Sequence, residues 1–488
     1  MLKKIGLTLA VTMLLLFVLV AAAMACDQLV VLKSASADGN VIWAKNSNRA
    51  NEECMGFVKV PGGKHKHGEM VQLSHIKIPQ ASVTYTVMAG HPYWSGGYEF
   101  GVNEYGVCAG NELINTKDPL HHEKESLNGH DLVRLGLERG KTAYEAMHVI
   151  IDMIEKYGQN GNAASPESGD VSVYWNSFLI ADPNEAWILE TSDRRWIAKR
   201  VQDNIFALTN ICSIRSTYDE ASPDLIQHAI DMGWYNPKDE FDFALAYNNF
   251  KARPDFEIKA RRAYQLLAKK RGKIDVPYVM SVLRDYKYED SFIESVYGTM
   301  EKNLPVLSAH TDTKSNAGSI IAHLRTDEAI PEPMRIVCWA AMASPDCSPF
   351  RPFYFCSDVP AELGIGRDKY SADSPWWSFD ILDRMARNNE EVYMGVLKSV
   401  WDSIEGKIAR QNYMTEQKAI KLFQAGKSND ACKLLSDFVQ NTCNDTWRVA
   451  KGMRTVLYEM WKVVPGPVVN IIDPEGKSDK NAGLELFK

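Results

Sequence analysis

Short apolar runs separated by turn signals fill the N-terminal half of the chain, and the period changes to helical spacing in two regions. Cys26-Asp27-Gln28-Leu29-Val30-Val31-Leu32 is rich in β-formers, and Val41-Ile42-Trp43-Ala44 is a second such run. Ala37-Asp38-Gly39-Asn40 between them carries an Asp-Gly turn signal, so the pair predicts a β-hairpin. Lys45-Asn46-Ser47-Asn48-Arg49 follows the second run, and strand pairing would return this polar cluster towards Cys26. The cluster reads either as a solvated loop with a helix cap or as hydrogen-bonding and cationic groups around Cys26. From Gly129 to Gly158, Leu132, Leu135, Val149 and Met153 recur at helical spacing, and Thr142-x-x-Glu145 is a capping box opening a second helix after Gly140. Ser172–Asp182 and Glu185–Arg200 flank Asp182-Pro183-Asn184 and predict another hairpin. Ile205–Leu208 is strand-like and ends in Thr209-Asn210. Lys259–Arg271 predicts an amphipathic helix with a solvated basic face, Ile336–Ala341 a strand, and Trp376–Val464 a largely helical region that wraps the core or covers a site. Pro, Gly and Lys from Pro465 onward predict an irregular tail.

The first residues have a different character. Lys3 and Lys4 precede Ile5–Ala25, which carries no charge, and Ala23-Met24-Ala25 is a small-residue cleavage site followed by Cys26. This is the three-part pattern of a secretory signal peptide over residues 1–25. An uncleaved membrane anchor is the alternative for a run of this length. The reading adopted is export with cleavage after Ala25, to the periplasm, the extracellular space or the cell envelope. Cleavage would make Cys26 the new N-terminus, and two fates follow. In one, Cys26 is acylated as a lipoprotein anchor, although Ala23 stands where such sites usually carry Leu. In the other, the thiol is a nucleophile and its own α-amino group is the base. The two groups have ordinary pKa values of about 8.5 and 7.7–8.0, well matched near neutrality.

Composition narrows the classes. With 488 residues, 45% apolar and 24% charged, the chain can bury a large core without metals or disulfides. A net charge of −7 gives no electrostatic footprint for nucleic acid. His65 and His67 alternate with lysines and read as an exposed loop. The sequence carries no metallopeptidase, phosphate-loop or serine-hydrolase motif, so no metal and no cofactor is expected. Of the nine cysteines, Cys432 and Cys443 are the nearest pair that two separate helices would bring together.

The ordered motifs resemble one family. Cys26-Asp27, a hydrophobic strand, Ala37-Asp38-Gly39 and the Lys45–Arg49 cluster are similar to the start of the secernin-like dipeptidases, a branch of the N-terminal-nucleophile (Ntn) hydrolases. Trp94–Glu112 resembles the family's WGxExGxNExGVxxxNE segment. Asp131–Arg139 is similar to its DLxRLxLER helix, Tyr157–Asn162 to YGQxGN, and Ser177–Thr191 to SFLxADxxEAWxLET. The matches are dense from Cys26 to about Ile214. One position departs: the family's cluster reads KNSDR, and here Asn48 stands for the Asp, so the negative charge beside a nearby ammonium is missing.

The resemblance implies an α+β, four-layer αββα sandwich of two antiparallel sheets between helical layers. The expected organisation is a catalytic domain over 26–370, a C-terminal helical extension over 371–464 packed on it, and a tail over 465–488. The implied activity is hydrolysis of dipeptides by Cys26, with Asn48 near the nucleophile and Lys45 and Arg49 holding the nucleophile or the substrate termini. Asn210 resembles a substrate-positioning or oxyanion-stabilising group, and equally a strand-end turn residue. Asn111 reads as an oxyanion donor or as a strand cap. The alternatives are an acylase of non-peptide amides and a lipid-anchored binding protein. The expected partners are dipeptide substrates, with no nucleic acid and no membrane contact beyond the leader or a lipidated Cys26; a homo-oligomer is left open.

Overall fold

The computed structural model describes residues 26–50, 52–249, 255–285, 310–311, 314–463, 471–472 and 478–479. The leader predicted over 1–25 and most of the tail predicted over 465–488 lie outside them.

The strands that build the sandwich are β1 (Asp27–Val31), β2 (Val41–Ala50), β3 (Met55–Val60), β4 (Val87–Pro92), β5 (Phe100–Asn103), β6 (Cys108–Ile114), β7 (Trp175–Ala181), β8 (Ala186–Ser192), β9 (Arg195–Arg200), β10 (Ile205–Leu208), β11 (Glu220–Ala221), β12 (His310–Thr311), β13 (Lys314–Leu324), β14 (Ile336–Met342) and β15 (Arg351–Tyr354). One antiparallel sheet has the order β10-β1-β2-β13-β14-β15, with β12 paired to β13. The other runs β11-β9-β8-β7-β6-β5-β4-β3. Among the described residues the α-helices of eight or more residues are α1 (Gly129–Arg139), α2 (Ala143–Tyr157), α3 (Asp255–Lys269), α4 (Val276–Leu283), α5 (Pro375–Arg387), α6 (Glu390–Gln424) and α7 (Ser428–Val463).

The period of two along each strand sorts side chains into three apolar layers. In β1, Val30 joins the layer between the sheets, while Leu29 and Val31 pack with Ala263, Leu267 and Val279 of α3 and α4. In β7, Leu179 and Ala181 join the same middle layer, while Phe178 and Ile180 pack with Leu132, Leu135 and Ile150 of α1 and α2. Helix, sheet, sheet, helix is therefore the layer order, the αββα arrangement that the sequence resemblance implied. Runs such as Leu29-Val30-Val31 are apolar without a break because both faces of their sheet are covered.

Local chemistry fixes the ends of these elements. Gly39 takes φ +74° in the turn between β1 and β2, a conformation that L side chains rarely adopt. Asn128 and Asp131 form a reciprocal capping box at α1. At α2, Thr142 accepts from the Glu145 backbone N–H, but Glu145 reaches back to the N–H of Lys141 instead of that of Thr142.

Three expectations need correction. Glu185–Arg200 is two strands, not one hairpin arm: the chain turns at Asp193, where φ is +55°, and β7, β8 and β9 form a meander. The basic face of Lys259–Arg271 is not wholly solvated. Lys259 is buried, with Nζ 3.6 Å from Asp27 Oδ2, so the helix uses one lysine to meet a charge at the start of β1. Cys432 and Cys443 stand on the same helix, α7. At about 1.5 Å rise per residue they lie roughly 16 Å apart along its axis and cannot bridge.

The C-terminal helices share the sandwich's core. The middle apolar layer continues from Phe57 and Phe353 through Trp376, Trp401, Leu435 and Val439. Trp376 Nε1 donates to the backbone carbonyl of Ala317 in β13 at 2.7 Å. Arg384 of α5 reaches Glu52 at 2.8 Å, in the connection between β2 and β3. Among the described residues no helix is long and apolar enough to cross a membrane.

Candidate active site

Cys26 stands immediately before β1. The register of β1 on β2 pairs Asp27 with Asn46 and Gln28 with Lys45, so the Lys45–Arg49 cluster does come back beside Cys26. Alternation then decides which members face inward. Asp27 points out to Lys259, and Asn46 donates from Nδ2 to the Leu283 carbonyl of α4. Gln28 points in and donates to the Gly110 carbonyl of the opposite sheet at 3.1 Å. Lys45 and Arg49 point in as well, whereas Asn48 falls on the outer face with Asn46. The sheets approach closely here: a Cβ on Gly110 would lie 2.6 Å from Lys45 Cδ and 2.9 Å from Gln28 Oε1. Only glycine fits at that position without displacing the lysine.

The inward groups form one buried charged cluster. Cys26 Sγ lies 3.4 Å from Glu99 Oε1, and the Asn48 backbone N–H donates to Sγ at 3.3 Å. Glu99 also receives Lys45 Nζ at 3.2 Å, Arg49 Nη1 at 3.3 Å and His130 Nε2 at 2.8 Å. Arg49 Nη2 pairs with Glu53 and donates to the Ala163 carbonyl at 3.1 Å. Lys45 Nζ donates to the Asn111 carbonyl and lies 3.8 Å from Glu112. Trp94 Nε1 donates to Glu53 at 2.8 Å, and its ring leans over His130.

Charge in such a place is costly unless opposed. Burial alone would lower the Lys45 ammonium, but Glu112 and Glu99 outweigh it and hold its pKa above the ordinary lysine value. Burial pushes the Glu99 carboxyl up, and Lys45, His130 and Arg49 more than reverse this, leaving it well below the usual range. Glu112 goes the other way. Burial raises it above the usual carboxylate range, beyond what Lys45 recovers. Lys45 lies against Glu99, and Arg49 against Glu99 and Glu53. Burial and the Glu99 charge raise the Cys26 thiol well above its ordinary value, against the opposing pull of Lys45.

The three asparagines sit in different relations to the thiol. Asn48 touches it through its backbone. Asn111 is in β6, next to Lys45. Asn210 follows β10, whose pairing of Leu208 with Gln28, continued two residues, sets Asn210 across from Cys26. Its Nδ2 donates to the Leu113 carbonyl at 2.9 Å. Glu190 holds the loop beyond it by accepting from Ser213 N and Oγ, both at 2.6 Å, and from Ile214 N at 3.1 Å.

The orientation of the Asn111 amide is set from a distance. Gln159 Nε2 donates to the Asp193 carbonyl, which turns its Oε1 to Asn176 Nδ2 at 2.8 Å. Asn176 Oδ1 then accepts from Asn111 Nδ2 at 3.0 Å. A backbone carbonyl cannot donate, so the whole relay runs one way and leaves Asn111 Oδ1 free. Asn48, Asn111 and Asn210 each keep a buried side-chain oxygen with no partner. Asn111 and Asn210 leave their side-chain oxygens without a partner, while each amide nitrogen donates a hydrogen bond within the protein.

Sequence reasoning did not single out Glu53, Glu99, Glu112, His130 or Gln28 as site residues. The signal for Glu99 and Glu112 was present: each is an acid inside an apolar stretch, Tyr98-Glu99-Phe100 and Asn111-Glu112-Leu113. His65 pairs with Glu69 at 3.0 Å and with Thr84 at 2.9 Å on a partly exposed hairpin. Among the described residues Asp346, Cys347 and Asp383 are grouped closely enough to hold a metal, but Arg387 already binds Asp346 at 2.6 Å and Asp383 at 3.0 Å.

A dipeptidase of Bifidobacterium longum (strain NCC 2705) is 29% identical over 206 residues, which is 38% of this chain and 36% of that protein. A probable dipeptidase of Latilactobacillus sakei is 22% identical over 398 residues, 73% of this chain and 80% of its own. Among solved structures, a conjugated bile acid hydrolase variant from Clostridium perfringens aligns with 70% of this chain and 95% of its own, at 10% identity and a TM-score of 0.37. A penicillin V acylase from Agrobacterium tumefaciens aligns with 67% and 86%, at 13% identity and 0.37. The profile of peptidase family C69 matches residues 25–265, the segment that carries Cys26 and every residue of the charged cluster. Over that segment the chain matches peptidase family C69.

Proposed function

We propose that the chain is an exported cysteine dipeptidase whose nucleophile, Cys26, is freed by cleavage after Ala25. The observation that carries this reading is the position of the Cys26 thiol, buried just before β1 beside Glu99 and Lys45. The thiol attacks the carbonyl carbon of the peptide bond, and its proton passes to the Cys26 α-amino group. That amine then protonates the departing amino group, leaving a thioester. Water hydrolyses the thioester, releasing the N-terminal residue and restoring the thiol. Before cleavage the nitrogen of Cys26 is an amide and cannot accept the proton. Burial and Glu99 also raise the thiol pKa above its ordinary value. Cleavage supplies both a base and, when that base is protonated, a positive charge beside the sulfur that favours the thiolate.

Lys45 and Arg49 serve this site chiefly by holding Glu99 and Glu53, since each cation is already opposed. Free acceptor atoms on Asn111 and Asn210 suit an N–H or ammonium of a dipeptide. The test is the mass of the mature N-terminus together with a dipeptide hydrolysis assay. Cleavage after Ala25 with an unmodified Cys26, turnover of dipeptides, and loss of turnover when one residue is retained before Cys26 are expected. An acylated Cys26 without turnover would replace the enzyme by a lipid-anchored protein. Turnover of non-peptide amides alone would make it an acylase.

A further inference from the structure

All nine cysteines are free thiols, and seven of them are buried; Cys356 and Cys432 alone are partly exposed. These two come from distant parts of the chain. Cys356 lies just past β15, at the edge of one sheet, and Cys432 is near the start of α7. Cys432 is nevertheless the neighbouring group that acts on the Cys356 thiol, and burial together with it pushes that thiol up to about 12.

The backbone on both sides of Cys356 is pinned. Lys59 Nζ, from β3, donates to the carbonyls of Phe355 at 2.5 Å and Ser357 at 3.0 Å, one residue to either side of Cys356. The Asp358 N–H donates to Ser436 Oγ at 2.9 Å. Ser436 is one turn beyond Cys432 on the same face of α7. The loop therefore runs along that face and sets Cys356 over Cys432.

We propose that Cys356 and Cys432 are a disulfide site that tethers the C-terminal helices to the edge of the sandwich. The oxidant is a small-molecule disulfide such as oxidised glutathione. The thiolate of one cysteine attacks a sulfur of that disulfide, forming a mixed disulfide and expelling one glutathione thiolate. The thiolate of the other cysteine then attacks the protein sulfur and expels the second. Two protein thiols are oxidised, one external disulfide is reduced to two thiols, and the two protons leave with them. The bond closes the stretch holding α5 and α6 into a loop, which restricts the unfolded chain. It also fixes α5, whose Arg384 meets Glu52 beside the charged cluster.

The purified full chain is incubated with oxidised glutathione, blocked with an alkylating agent and digested without reductant. A cross-linked peptide containing Cys356 and Cys432, lighter than the two thiol peptides by two hydrogens, is expected. Tm should be several degrees higher in the oxidised than in the dithiothreitol-reduced chain. Cys356→Ser, in the loop, and Cys432→Ser, in the helix, should each remove that difference. The proposal is overturned if both cysteines are recovered alkylated or separately glutathionylated, if the cross-link joins other cysteines, or if Tm does not depend on reductant.

Discussion

The Sγ of Cys26 and the Oε1 of Glu99 lie 3.4 Å apart, although 73 positions separate them in the chain. A carboxylate at this distance opposes ionisation of the thiol, and the same carboxylate is what keeps Lys45 and Arg49 neutralised. Glu99 thus restrains the Cys26 thiol and holds together the charged cluster around it. The two effects separate on substitution.

In Glu99→Gln the charge that raises the thiol is gone and Lys45 remains. The Cys26 thiol pKa should fall, so at fixed pH the sulfur reacts faster with iodoacetamide, read by mass mapping of the Cys26 peptide. The variant should also be less stable, by about 3–5 kcal/mol, because buried cations lose their partner. Slower alkylation in a folded variant would mean that Glu99 does not act on the sulfur through its charge.

Burial is the main cause that lifts the Glu190 carboxyl from 4.5 to about 7, against the hydrogen bonds from Ser213 and Ile214. A carboxyl raised in the folded state contributes stability that is fully present below its unfolded pKa and is lost as pH rises through the folded one. The Glu190 contribution, about 3 kcal/mol at most, should therefore disappear between pH 4.5 and 7. Urea midpoints at the two ends of that window should differ less in Glu190→Gln than in the parent chain. Equal differences in both would remove Glu190 from the pH dependence.

Asn48→Asp would restore the charge that the family's motif carries. If it stands beside the amine freed at Cys26, it favours the ammonium, and the acidic limb of kcat/KM should move up by roughly one pH unit or less. The outer-face position of the Asn48 side chain and its backbone contact with the sulfur argue for the lower part of that range. A pH–rate series on both proteins measures it, and superimposable profiles would take the side chain at 48 out of the chemistry.

Trp376 is buried in the apolar layer shared by the sandwich and the C-terminal helices, with its N–H on the Ala317 carbonyl. Trp376→Ala should cost about 3–5 kcal/mol. If the helices and the sandwich unfold as one unit, a single transition shifts in chemical denaturation. Loss of helical signal ahead of the β-sheet signal would show that the shared layer does not couple them.

Much of the architecture is local in origin, and the sequence determined it. The Asp38-Gly39 turn joins two β-forming runs, and once they pair, the return of Lys45 and Arg49 towards Cys26 follows from strand geometry. Asn128, Thr142 and the spacing of Leu132 and Leu135 place α1 and α2 in the same way. The ordered motifs from Cys26 to Ile214 carry the family. What the sequence alone did not decide is which polar residues meet across the two sheets. Glu99 and Glu112 look like isolated acids in apolar strands until the opposite sheet supplies Lys45 and Arg49 at about 3–4 Å. Asn111 reads as donor or cap until a relay through Asn176 and Gln159, ending on a backbone carbonyl, turns its oxygen free. Cys432 comes beside Cys356 only when the loop after β15 is laid along α7. Periodicity and turn chemistry act over a few residues and are written in order along the chain. The state of a buried charge or thiol depends on the residues that desolvate and oppose it, and those arrive from distant strands when the layers close.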